Sequence, residues 1–133
     1  MKALRGAASI VAGFLALPVL MRISLGAVLT VRPDLVPPSG PPPGTYLAVN
    51  LGLAAVMGTL SAALTARLAP EPPFLWALLL AFLVFAGGLV FGVQQMGSAA
   101  PGWYLLGMPL ISGLSIAFGG WAYLEWRQRR DDA

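Results

Sequence analysis

Apolar residues fill the chain in four long runs, at about residues 7–30, 46–68, 74–93 and 103–126. Each run holds at least 20 residues. A bilayer hydrocarbon core of about 30 Å needs about 20 helical residues at about 1.5 Å each. All four runs meet that length, and none alternates apolar with polar residues as a barrel strand does. Helices satisfy their own backbone hydrogen bonds in lipid, so the pattern predicts four membrane-spanning helices.

The breaks between the runs are short. Residues 31–44 hold Pro33, Pro37, Pro38, Pro41, Pro42 and Pro43. Proline lacks a backbone donor and fixes φ, so this loop is expected to be extended and polyproline-like. Pro70, Pro72 and Pro73 form a tight stop before the third run. The last break, at 94–102, is uncharged and rich in small residues.

The charges sort by side. Lys2, Arg5, Arg67, Arg127, Arg129 and Arg130 fall at one end of the predicted bundle, and only Arg32 falls at the other. The positive-inside rule then puts both termini in the cytoplasm and the proline loop outside. Lys2 and Arg5 ahead of an apolar run also suit a signal peptide, but the run is longer than a normal signal core, so the segment is expected to stay as the first helix. Tyr46, Trp103 and Tyr104 fall at the predicted outer ends, and Trp76, Trp121, Tyr123 and Trp126 at the inner ends, where amphipathic rings prefer to lie.

Composition agrees with this picture. The 133 residues are 58% hydrophobic and 10% charged, against about a quarter charged in soluble domains. We expect one transmembrane domain over residues 1–133: an all-α four-helix bundle of two helical hairpins. The net charge of +3 does not point to nucleic acid, because the cations cap apolar runs and form no patch with interleaved aromatics. The chain has no Cys and no His, which removes thiolate chemistry and His-ligated metal or haem, so no cofactor is expected.

Small residues recur at helix-packing spacing. The second run carries Ala54, Gly58, Ala62 and Ala66, the third Gly88 and Gly92, the fourth Gly113 with Ala117 and Ser115 with Gly119, and the first Ser9 with Gly13. In lipid, close backbone approach replaces the hydrophobic drive between helices. The faces suit packing within one bundle, which we expect, or dimerisation. Pro43-Gly44-Thr45-Tyr46-Leu47 and Pro101-Gly102-Trp103-Tyr104-Leu105 open the second and fourth runs with a matching pattern. Duplication and convergence on a helix-entry motif both account for it.

Arg22 is the one charge away from the ends of a span. An ionised group there costs about 2.5–3.5 kcal/mol on insertion scales, so it is a functional candidate. The one Asp or Glu within a run is Glu125, at the inner end of the fourth. Asn50, Tyr46, Gln94 and Tyr104, with Gln95 and a downward-reaching Asp34, could join Arg22 in an outer polar pocket for an anionic headgroup. Alternatively Arg22 snorkels to the outer phosphates. Asn50 is expected to make an interhelical hydrogen bond. Met57, Met96 and Met108 read as packing residues rather than copper ligands. No hydroxyl has a base near it in sequence, and Asp131-Asp132 lies in a solvated tail, so no catalytic residue is expected.

Ala63-Leu64-Thr65-Ala66-Arg67-Leu68-Ala69-Pro70 closing the second run, Trp103-Tyr104 after Pro101 and Gly119-Gly120 near the inner end of the fourth carry a resemblance. With them the chain resembles a broad group of small bacterial integral membrane proteins with four helices. That resemblance implies topology and a bacterial source, and no activity. Small multidrug-resistance transporters also have four helices but use a glutamate embedded in the first. Here that helix carries Arg22, which argues against proton-coupled cation export.

The expected function is therefore non-enzymatic: a small accessory or structural subunit of a larger membrane complex, or a homo-oligomer, in the cytoplasmic membrane. Its expected partners are membrane lipids and other membrane subunits or further copies. The alternative is a small transporter or channel for an anionic or lipid-like molecule, with Arg22 reading the charge.

Overall fold

A computed structural model describes residues 1–35, 39 and 41–133. Among these the chain is entirely helical: α1 (Lys2–Val31), a 3-10 turn at Pro33–Leu35, α2 (Gly44–Leu68), α3 (Pro73–Gln94) and α4 (Gly102–Asp131). All four α-helices are long and apolar enough to cross a membrane. The expected all-α four-helix bundle is the observed fold.

The helices outrun the apolar stretches, most of all at Lys2–Gly6 and Arg127–Asp131. Hydropathy marks the part of a helix that lipid requires. The backbone continues past it, because each further residue adds a hydrogen bond once the helix is nucleated. Prolines set the starts. Pro43, Pro72 and Pro101 are the N-caps of α2, α3 and α4, all with extended backbone. The first helical turn has no acceptors for its own N–H groups, so an imino acid there forfeits nothing. α2 stops at Ala69, which is extended as a residue preceding proline prefers to be.

The long loop departs from the expected extended form at its first residues. Pro33–Leu35 curls into a 3-10 turn, with the Leu35 N–H donating to the Arg32 carbonyl at 3.2 Å and Leu35 buried. A buried leucine and an Arg32–Asp34 ion pair outweigh the polyproline tendency there. Val36, Pro37, Pro38 and Gly40 lie outside the described residues. Pro43, at φ −67° and ψ 151°, does have the polyproline backbone.

α2 is the hub. It packs along α4 and α1 and also reaches α3, while α4 lies against both α2 and α3. The buried face of α2 is the small-residue row Ala54, Gly58, Ala62 and Ala66, interleaved with Asn50, Ser61 and Thr65. A methyl group on Gly58 would run into Ser115, and one on Gly119 into the Thr59 backbone. On Gly88 it would lie 2.6 Å from Pro109 Cβ. The core of Ala62, Leu80, Ala81 and Ile116 fills the space between α2, α3 and α4. The small-residue faces are thus consumed within the chain.

Pro109 sits inside α4, where its missing N–H leaves the Leu105 carbonyl without its helical donor. That oxygen faces Gly92 of α3, so near that a Cβ there would be 2.6 Å from it. A Cα–H contact from glycine is the available compensation.

The two matched entry motifs are structurally equivalent. Pro101, at φ −69° and ψ 148°, repeats the Pro43 geometry. Leu47 and Leu105 are both buried and donate to Pro43 and Pro101 respectively, each at 3.2 Å. The equivalence follows from the parallel course of α2 and α4, both entered from the proline-loop end.

The packing predicts a contrast between glycines. Gly119→Val should lower stability in detergent by about 1–3 kcal/mol, as overpacking does. Gly107→Ala, where an added methyl meets nothing within 4 Å, should stay within about 1 kcal/mol of the parent. Unfolding in mixed micelles, followed by circular dichroism, measures both.

Candidate functional site

α1 is fully buried over its first half only. Its buried residues are Gly6, Ser9 and Gly13. Trp76 of α3 lies over Gly6, leaving no room for a side chain there, and Gly13 fits against Thr65 and Leu80. Two hydroxyls of α2 complete the seam: Ser61 Oγ donates to the Gly13 carbonyl at 2.6 Å and Thr65 Oγ1 to the Ser9 carbonyl at 3.3 Å. At the end carrying the termini, Arg5 Nε donates to the Leu68 carbonyl at 3.1 Å.

Beyond Gly13 no residue of α1 is buried. The remaining polar link is weak, from Ser24 Oγ to Met57 Sδ at 3.4 Å. α1 makes no extended contact with α4. A cleft of about 620 Å³ opens where full burial of α1 ends. Phe14, Pro18, Met21 and Arg22 form its α1 wall, Leu83, Gly87 and Phe91 its α3 wall, and Met108 with Ser112 of α4 its back. A smaller crevice of about 270 Å³ shares Gly88, Phe91, Met108 and Ser112, and is bounded on the α4 side by Tyr104.

The sequence-predicted residues divide around these cavities. Arg22 lines the cleft and Tyr104 the adjoining crevice. Tyr46 is half-buried, and its phenol lies within electrostatic reach of Tyr104. Asn50 is 6% exposed and, among the described residues, has no side-chain hydrogen-bond partner, so the expected interhelical bond is not formed there. Gln94 is exposed at the end of α3 and lines neither cavity, and Gln95 is its exposed C-cap. In place of five converging polar groups there is an apolar cleft with one cation at its rim.

Among the described residues no carboxylate pairs with Arg22. Asp34 is held by Arg32 through two hydrogen bonds, 2.9 and 2.7 Å long. Those bonds hold the Asp34 carboxyl below the usual carboxylate range. Glu71 pairs with Arg127 at 2.6 Å and Glu125 lies 3.8 Å from Arg129. Asp131 and Asp132 end the chain on the opposite side of the bundle from Arg22.

Depth explains how the charge is tolerated. Arg22 follows Arg5 by 17 residues, roughly 25 Å of helix. Were Arg5 at one interface of a core about 30 Å thick, Arg22 would lie about 5 Å below the other. Counted from the end of the apolar run at residue 30, it is 8 residues, about 12 Å of helix, inside. A guanidinium on its flexible stem reaches phosphate from the shallower of these depths.

Of the cleft walls, sequence reasoning singled out Arg22 as a site residue and took Ala54, Gly88 and Met108 only as packing residues. The available signal was the adjacent pair Gly87-Gly88. Helix packing uses Gly88, against Pro109, whereas a methyl on Gly87 would meet nothing within 4 Å.

Since the bundle does not use the Arg22 charge, Arg22→Leu should leave thermal stability within about 1 kcal/mol. It should also ease membrane insertion of α1 by up to about 2.5 kcal/mol. A glycosylation-mapped insertion assay and a melt in detergent check the two parts. A clear loss of stability would reveal a structural partner for the guanidinium. The chain matches no protein-family model, no curated protein and no solved structure, so what it does has to be argued from this geometry.

Proposed function

We propose that this chain is a non-enzymatic integral membrane protein of a bacterial cytoplasmic membrane, acting as a small accessory or structural subunit beside other membrane proteins or further copies of itself. Both termini lie in the cytoplasm in this reading, on the strength of the Lys and Arg asymmetry. The observation that carries the subunit role is an open apolar groove of about 590 Å³ along the α2–α4 seam. Val56, Leu60, Leu114 and Phe118 line it and are each at least half exposed. The groove lies over α2–α4, one of the two most extensive helix pairings, so a partner helix would dock on a rigid surface. Among the described residues the segments between helices are short, and most of the carboxylates are engaged in ion pairs at helix ends.

A second reading, a carrier for an anionic or lipid-like molecule, is favoured by the cleft beside Arg22. Its walls are apolar apart from Arg22 and Ser112, which suits a lipid-like molecule better than a hydrated ion.

The chain has no cysteine, so a single one can report on the groove. Leu114→Cys should form a covalent dimer or a heavier adduct on mild oxidation in native membranes, and Leu78→Cys on α3 should not. Mass analysis of the chain purified in mild detergent should find other subunits or further copies bound. A lone monomer with no adduct at Leu114→Cys defeats the subunit reading. Arg22-dependent uptake of an anionic lipid analogue by vesicles would then stand for the carrier.

A further inference from the structure

The cleft has the dimensions and polarity of a site for a single lipid. From Phe14 to Arg22, its α1 wall rises about 12 Å along the membrane normal. At its lower edge Phe14 and Leu83 also border a second groove, which runs on to Ile10 and Val11 between α1 and α3. Ile10 to Arg22 is roughly 18 Å of helix. One leaflet of hydrocarbon is about 15 Å deep, half the bilayer core. With Arg22 about 5 Å below the interface, the cleft down to Phe14 already reaches the bilayer centre. The cleft itself therefore matches one acyl chain hanging from a headgroup at Arg22, and the second groove continues past the centre.

Charge completes the match. Arg22 stands at the interfacial end of the groove, and every carboxylate of the chain is paired elsewhere or lies at the far end of the bundle. A guanidinium presents a planar fork of donors suited to a phosphate. The groove opens sideways to lipid because no residue of α1 beyond Gly13 is fully buried.

We propose that the α1–α3 groove is a binding site for one anionic phospholipid of the leaflet on the proline-loop side, its phosphate on Arg22 and one acyl chain between Pro18 and Gly87. This rests on the second reading above only in its use of Arg22, and it requires no transport. Lipid retention separates it from ordinary solvation by the bilayer, which is neither stoichiometric nor dependent on a single side chain.

The test is native mass spectrometry of the full chain in detergent with added phosphatidylglycerol or phosphatidylcholine. One phosphatidylglycerol should be retained per chain, at least tenfold more tightly than phosphatidylcholine. Arg22→Gln should erase that preference. Gly87→Leu should weaken both lipids at least tenfold, because it fills the cleft while keeping Arg22. An added side chain at Gly87 starts into open space, so this variant should keep its fold, and an unchanged melt verifies that. Equal retention of the two lipids by the parent chain, or undiminished phosphatidylglycerol binding in either variant, overturns the proposal. Retention is read without any flux, so a failed carrier assay and a failed lipid assay remain separate results.

Discussion

The whole bundle depends on how closely the α2 backbone can be approached. In lipid there is no gain from hiding apolar side chains, since the surrounding tails are as apolar as leucine. Cohesion comes from dispersion between atoms in contact and from hydrogen bonds that span helices, and both need short interhelical distances. The buried face of α2 supplies them by keeping its side chains small. Gly58 lets Ser115 in, and Ala62 meets Gly119. Ser61 and Thr65 are short enough to donate directly to α1 carbonyls. A larger residue anywhere on this face would push a neighbour away and lengthen those bonds.

The same constraint explains why the bundle is lopsided. α1 can approach where it offers Gly6, Ser9 and Gly13, and it does so there. Above Gly13 it presents Phe14, Pro18 and Met21, which are too large for approach to α3 at backbone distance, while Leu17 still packs against the core. Pro18 also removes a helical hydrogen bond in that stretch. Full burial of the helix ends there, and the space beside it becomes the cleft. Thus the cavity is the remainder of an incomplete seam, and its apolar walls are the side chains that prevented closure.

Arg22 gives this remainder a direction. An isolated cation in hydrocarbon is costly, and the chain has not supplied it with a carboxylate. Its position close to the interface lowers that cost without cancelling the attraction for an anion. The opposite end of α1 is anchored differently, by Arg5 on a backbone carbonyl and by Trp76 across Gly6. The two arginines of one helix therefore have different surroundings: one is tied to protein, the other is free to meet lipid.

Four spans, their limits within a few residues, and the entry motifs at Pro43 and Pro101 were all legible in the sequence, because each is a local property of length, hydropathy or proline geometry. The packing faces were legible too, since small residues at four-residue spacing mark them directly. The site was only partly so. Arg22 stood out as a charge among apolar residues, but Gln94 and Asn50 were grouped with it on depth alone, and depth says nothing about the direction a helix face points. Tertiary structure decided that Arg22 and Tyr104 border connected cavities, that Asp34 is taken by Arg32, and that Gly87 faces open space while Gly88 is packed. Those outcomes depend on helix rotation and on where the full burial of α1 ends, which follow from side-chain interlocking between segments far apart in the chain.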